Sequence, residues 1–192
     1  MLDDEEAEHL PGCNLAVTKA AFDAIGMSYA VYDGVQPNPS IKNIEDAYAL
    51  YLKHGCDCVV GFGGGSSMDC AKVVAGRVVK PALTTDKLGG YFKIMLPIPK
   101  RLPRIFAVPT TAGTGAEATR NAVIGCAEKK FKASLRSEHL LAKIAVIDPE
   151  LAVSAAPQVT AASGLDALCQ LIESYTSNRA QPLTDALALQ GV

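Results

Sequence analysis

No stretch of this sequence approaches the roughly 20 consecutive apolar residues that a membrane-spanning helix needs, so no membrane role is expected. An excess of one charge is missing too. Lys and Arg number 18 against 20 Asp and Glu, for a formal charge of −2, which offers no electrostatic reason to bind nucleic acid or acidic membranes. The opening MLDDEEAEHL is acidic, the opposite of a signal or transit peptide, and points to the cytoplasm. A disulfide framework is also lacking: Cys13, Cys56, Cys58, Cys70, Cys126 and Cys169 lie scattered among apolar residues and read as free thiols. Cys56 and Cys58 form a C-x-C pair on a predicted strand, but no second pair completes a tetrahedral metal site, so core packing is their expected role. The three histidines, His9, His54 and His139, fall in the acidic tail, at a helix end and near a strand, and read as surface or capping residues. No internal repeat or low-complexity tract stands out.

What is present alternates. VTKAAFDAIGMSYAVYDGV predicts a short helix, a break at Gly26 and an apolar strand ending at Asp33-Gly34. After the breaker QPNPS, Ser40 can cap a helix with apolar positions at Ile41, Ile44, Tyr48, Tyr51 and Leu52, stopping at Lys53-His54-Gly55. CDCVVGF is a buried strand that runs into GGGSS and a helix through MDCAKVVAGRVV. RIFAVPTT is a second buried strand leading to AGTGAEATRNAVI, and LLAKIAVIDPEL supplies another, ended by Asp148-Pro149. Strands alternating with helices predict a parallel α/β sheet. From about Leu151 Ala, Leu and Gln replace Val and Ile and the pattern becomes helical, which places a domain boundary near 150. Residues 81–103 are proline-rich and read as an excursion.

The strongest functional signal is VVGFGGGSSMDCAK. A buried strand delivers Gly63, Gly64, Gly65 and Ser66 to the start of a helix, where bare amides and the positive end of the helix dipole suit a phosphate group. The spacing is neither the common Rossmann fingerprint nor a P-loop. A tight turn without a ligand is the alternative, but successive glycines are costly in chain entropy for that purpose alone. Asp69 is expected in the first turn of that helix, favouring the dipole. A second candidate follows the next strand, where Thr110, Thr111 and Thr114 alternate with Gly113 and Gly115, offering hydroxyls and amides to ribose and phosphate oxygens.

Nearer the end, GLDALCQLIES sets Asp166 and Gln170 at i, i+4 on one helix face. Ser163 through Asp166 reads as a capping-box start, with Leu165, Leu168, Cys169 and Ile172 as a buried stripe. Leu171, Leu187 and Leu189 have no evident partner, which predicts self-association.

In order along the chain, DGVQPNPS, GFGGGSSMDCAK, AVPTTAGTGAEATRNAVI, AVIDPELAVSAAPQVTAASGLDAL and IESYTSNRAQPLTDALAL resemble the iron-containing (group III) alcohol dehydrogenases, relatives of glycerol dehydrogenase and dehydroquinate synthase. The resemblance runs from about Tyr32 to the C-terminus. It implies a dehydroquinate synthase-like α/β fold: a parallel-sheet dinucleotide-binding domain over 1–150, N-terminally incomplete, followed by the beginning of an all-helical domain over 151–192. It also implies NAD- or NADP-dependent interconversion of a small-molecule alcohol and an aldehyde or ketone. By the same match, Asn38, Gly64, Gly65, Ser66, Asp69, Thr110, Thr111, Thr114, Thr119, Asn121 and Lys132 correspond to cofactor-facing positions. Lys132 lies in the basic run EKKFK, which by composition alone would be solvated surface.

The family's metal, Fe or Zn, is held by Asp and His at i, i+4 with two later histidines. Asp166 matches the first, Gln170 stands where the histidine would be, and the later pair would fall beyond Val192. An amide oxygen suits Fe(II) or Zn(II) less well than imidazole, so a weakened or altered metal preference is expected. The alternative reading is a non-catalytic dinucleotide-binding module, or a gene fragment of the same fold.

Overall fold

The computed structural model of the chain describes residues 15–80, 101–126 and 131–192. The acidic tail with His9 and Cys13, and most of the proline-rich stretch, lie outside those residues.

Helix α1 (Leu15–Ala24) ends at Gly26, which takes φ +65 as a left-handed stop. The apolar segment that follows was expected to be a strand, but residues 27–36 pair with no strand. A strand needs a neighbour to bond with, and this segment is held by side chains instead. Asn43 Nδ2 donates to the Tyr32 hydroxyl at 3.1 Å and to Gly34 O at 2.8 Å. The same Asn43 closes the capping box of helix α2 (Ile41–Lys53), where Ser40 is the N-cap as expected. The helix stops at His54 and Gly55, the latter at φ +61.

Strand β1 (Cys58–Gly63) leads through Gly64 into helix α3 (Gly65–Val79). Strand β2 (Arg104–Pro109) lies parallel to β1, with Gly63 opposite Pro109, and the short β5 (Ile144–Ala145) joins β2 in parallel. The order β1-β2-β5 makes a three-stranded parallel sheet. Between β2 and β5 the chain forms an antiparallel hairpin that the sequence pattern did not suggest, β3 (Asn121–Cys126) and β4 (Phe131–Arg136).

Helix α3 is covered on both sides. Every residue from Ala71 to Gly76 is buried, as expected of a helix lying between two layers. One side packs on the parallel sheet so closely that a Cβ on Gly61 would sit 2.9 Å from the Met68 Cα. On the other, Cys70, Val73 and Val74 join Ile44 of α2 and Ala122, Ile124, Ala133 and Leu135 of the hairpin in the main core. Arg77 ties α3 to α2, reaching Glu45 through Nε at 3.0 Å and Nη2 at 3.2 Å while stacking over the Tyr48 ring.

Beyond residue 150 the chain is helical. Helix α4 (Pro157–Tyr175) starts at Ala156 and Pro157, not at Ser163. Ser163 therefore sits inside the helix, and its hydroxyl donates back to Val159 O at 2.8 Å. The stripe of Leu165, Leu168, Cys169 and Ile172 is not a buried one. No α4 residue is buried, and Leu165 is 62% and Ile172 50% exposed, because no described element covers that face. Helix α5 (Pro182–Gly191) packs back on α4, and it supplies the partner Leu171 was thought to lack. Gly191 lies so close to Leu171 that a Cβ there would meet Cδ2 at 2.8 Å. Leu187 and Leu189 stay exposed. No helix among the described residues is long and apolar enough to cross a membrane.

Candidate functional site

Parallel strands end side by side, so the loops that follow β1 and β2 emerge at the same carboxyl edge of the sheet. In open α/β sheets this edge is where ligands bind. Here the two loops are stitched together by the Thr110 N–H, which donates to Gly63 O at 3.0 Å.

The first loop turns on Gly63, whose φ of +133 is closed to L side chains. Gly64 then begins α3 as an N-cap with no side-chain hydrogen bond. Ser67 and Met68 N–H both donate to Gly64 O, at 3.1 and 3.2 Å. The preceding amides, Gly65 and Ser66, occupy the first two helical positions, where no intrahelical carbonyl exists for them.

The second loop lies over the first. A Cβ on Gly65 would come within 2.9 Å of the Thr114 Oγ1 and Cγ2, and one on Gly64 within 3.4 Å of Thr111 Oγ1. Beneath them Thr110 is fully buried, with a hydroxyl that finds no hydrogen-bond partner. From the third side Asn38, at φ +57, donates its N–H to Ser66 Oγ at 3.1 Å and accepts at Oδ1 from Lys132 Nζ at 2.7 Å. Lys132, in a basic run that composition would leave in solvent, is thus latched to the PNP turn. Asn38, Gly64, Gly65, Ser66, Thr110, Thr111, Thr114 and Lys132 are therefore brought together.

Asp69, Thr119 and Asn121 meet elsewhere. Asp69 lies beyond the first helical turn, where no acidic residue is found, so the expected partnership with the helix dipole is not made. Its Oδ2 instead accepts the Val123 N–H at 3.0 Å. Burial pushes its carboxyl up to about 6, against the pull of that N–H and of Lys72. Lys72 is the residue the sequence reading missed. It is fully buried, and its Nζ reaches Ala116 O (2.6 Å), Thr119 O (2.8 Å), Thr119 Oγ1 (3.2 Å) and Asn121 O (3.0 Å). Burial lowers its pKa, while Asp69 and Glu117 raise it. The available signal was a lysine three residues after Asp69 in an otherwise apolar helix stretch.

Asp166 and Gln170 do meet, but by hydrogen bonding. Gln170 Nε2 donates to Asp166 Oδ2 at 3.0 Å and to Gly113 O at 3.2 Å. Two acceptors on one side fix the amide with its nitrogen facing them. Among the described residues no group of three or more His, Cys, Asp or Glu could hold a metal ion. Gln170 turns its nitrogen and not its oxygen toward Asp166, and an amide oxygen suits Fe(II) or Zn(II) less well than imidazole. His54 ends α2 and His139 lies in the 3-10 turn Glu138–Leu140, and neither adds a ligand. Cys56 and Cys58 are free, half-buried thiols.

Comparison with known proteins decides the family. The description "Iron-containing alcohol dehydrogenase" matches residues 12–149. The chain belongs to the iron-containing alcohol dehydrogenase family. It is 40% identical over 167 residues to choline dehydrogenase of Bacillus subtilis (strain 168), covering 87% of this chain and 41% of that protein. Sulfoacetaldehyde reductase from Bifidobacterium kashiwanohense, solved in complex with NAD+, superposes with a TM-score of 0.78 at 33% identity over 90% of this chain and 45% of that one. An archaeal halo-thermophilic Red Sea brine pool alcohol dehydrogenase gives a TM-score of 0.81 at 30% identity, over 91% and 45%. The chain thus spans less than half the length of these relatives, and its α/β fold corresponds to that part of the iron-containing alcohol dehydrogenases.

Proposed function

We propose that this chain is the dinucleotide-binding part of an oxidoreductase that interconverts an alcohol and an aldehyde or ketone with NAD or NADP. The observation that carries the reading is the uncapped start of α3, whose Gly65 and Ser66 amides lie at the carboxyl edge of a parallel sheet under Thr111 and Thr114. Amides without partners at a positive helix end favour an anion such as a pyrophosphate. The residues present therefore fit a dinucleotide.

In this reading Gly64, Gly65 and Ser66 hold the pyrophosphate, with Thr111 and Thr114 beside it. Asn38 and Lys132 close over Ser66 and add a cation. Asp69, Thr119 and Asn121 act through loop position, since they are engaged around Lys72. The bound nicotinamide would supply the hydride acceptor or donor. The NAD+ bound by the Bifidobacterium reductase and the dehydrogenase names of the relatives support this class. We further propose two units with a boundary near 150, the second being the start of the helical substrate domain.

Calorimetric titration with NAD and NADP tests the reading, together with Ser66→Glu. A carboxylate at the second helical position favours the helix dipole but repels a pyrophosphate. Binding is expected to weaken by about tenfold or more, while stability falls by no more than about 1 kcal/mol for the lost Asn38 N–H to Ser66 Oγ bond. Wild-type protein that binds neither nucleotide, or a variant that binds as well as wild type, refutes it. The second reading, a binding module without turnover, is favoured by the donor set at Asp166 and Gln170, which suits the family's metal less well than imidazole would. Nucleotide binding without alcohol-dependent reduction of NAD or NADP would select it.

A further inference from the structure

We propose that Asp166 and Gln170 form a hydrogen-bonded clasp that seats α4 on the threonine loop, so that Gln170 is a positioning residue for Thr111 and Thr114 and not a metal ligand. Gln170 is a point where an α4 side chain hydrogen-bonds to that loop. Its Nε2 donates to the Gly113 carbonyl at 3.2 Å, and Asp166, one turn earlier, accepts from the same nitrogen at 3.0 Å. Asp166 thereby aims the amide and Gly113 receives it.

A second contact lies beside the first. A Cβ on Gly113 would fall 2.3 Å from Ser163 O and 2.7 Å from Ser163 Cβ, so the backbone of α4 rests directly on the loop. Gly113 adjoins Thr114 and lies two residues from Thr111, and these threonines lie against Gly65 and Gly64. A shift of α4 is therefore passed through Gly113 to the roof of the glycine loop. In metal ligation Gln170 would instead present its oxygen alongside a carboxylate free to share the ion. Here the nitrogen faces the carboxylate, and one carboxylate oxygen is already occupied.

Two substitutions at this exposed position separate the roles, because they move them in opposite directions. Gln170→Glu keeps the size but removes the donor and sets like charges at i, i+4. Gln170→Lys keeps donors for both Asp166 and Gly113 but cannot ligate a metal while protonated. Amide hydrogen exchange at Gly113, Thr114 and Gly115 is followed for the full chain, with and without zinc chloride. The clasp predicts exchange about fivefold faster in Gln170→Glu, wild-type exchange in Gln170→Lys, and no response of the wild type to zinc. Unchanged exchange in Gln170→Glu, equal acceleration in Gln170→Lys, or zinc-dependent protection in the wild type overturns it.

The consequence for cofactor rests on the dinucleotide reading: Gln170→Glu also weakens NAD binding by about fivefold, and Gln170→Lys restores it. The two ideas fail separately. Loop exchange that follows the clasp pattern in a protein that binds no nucleotide sinks the functional reading alone.

Discussion

Lys72→Met is the substitution with the most to say about how the site is built. Methionine keeps the length and apolar stem of the lysine but brings no donor. The ammonium has three protons and stands within 2.6–3.2 Å of Ala116 O, Thr119 O, Thr119 Oγ1 and Asn121 O. Ala116 O would keep the Thr119 N–H at 3.3 Å and the Thr119 hydroxyl at 3.2 Å. Asn121 O has no such reserve. Ser137 N–H donates to Arg120 O at 3.0 Å, so the next pair, Asn121 with Arg136, is the kind that exchanges no hydrogen bonds. Its carbonyl therefore faces away from β4, toward Lys72.

Thr119 O and Asn121 O would thus be orphaned, at about 1–3 kcal/mol each. Against that stands relief from burying an ammonium, a cost of several kcal/mol that Asp69 already offsets in part. The expected net loss is about 2–4 kcal/mol, or roughly 5–15 °C in Tm for a chain of this size, measured by thermal and urea unfolding. A double-mutant cycle with Asp69→Asn should show coupling of about 1 kcal/mol or more, since each group's charge counters the shift that burial imposes on the other. Lys72→Met protein as stable as wild type would refute the reasoning, because the lysine would then be a net cost.

Asp69→Asn tests the same region by pH. Burial raises the Asp69 carboxyl from its ordinary 3.8 to about 6, so between those values the folded chain holds a proton that the unfolded chain has released. Stability from this group is thus present below 3.8 and is lost as pH rises through about 6. Tm profiles should show the asparagine variant gaining on wild type across that window and level above it; parallel profiles would contradict the assignment. Gly113→Ala forces α4 off Ser163 O, a contact of 2.3 Å in prospect. It should lower stability by about 1–3 kcal/mol and speed amide exchange in α4, whereas wild-type melting would mean the helix does not rest there. Asn43→Ala removes the capping-box partner and the hold on Tyr32 and Gly34. A loss of about 1–2 kcal/mol with new proteolysis within 27–36 is expected, and unaltered cleavage would count against that tether.

Much of this was legible because it is local. Ser40 as a cap, Gly26 and Gly55 as stops, and β1 running into α3 follow from residue type and spacing alone. The failures share a non-local cause. Residues 27–33 have strand composition, but a strand exists only by pairing, and none of the described residues pairs with them. The β3–β4 hairpin was hidden in NAVIGCAEKKFKASLR, whose basic run EKKFK reads as solvated surface. The stripe on α4 was periodic, yet periodicity says which face is apolar and not what covers it. Lys72 was missed because three of its four acceptors are backbone carbonyls 44 to 49 residues away, and carbonyls leave no mark in a sequence.

The glycines show how a correct pattern can have a different cause. The entropic cost of three in a row favoured a ligand over a bare turn. Two of them also have a packing reason: Ser67 Oγ would lie 2.6 Å from a Cβ on Gly63 and Thr114 2.9 Å from one on Gly65, whereas Thr111, 3.4 Å from one on Gly64, is in ordinary contact. Close approach of Thr114 demands a small residue at Gly65 even without a phosphate. The weight of the functional argument therefore shifts from the missing side chains to the amides they leave bare. Glycine can be explained by its neighbours, but two unbonded N–H groups at the start of a long buried helix, on the carboxyl edge of a parallel sheet, still call for an acceptor. Neither Asn38 nor Thr114 supplies it: the Ser66 hydroxyl takes the Asn38 N–H, and Thr114 Oγ1 takes that of Ala116 at 3.3 Å. In the reading proposed above, an anion from outside the chain is that partner.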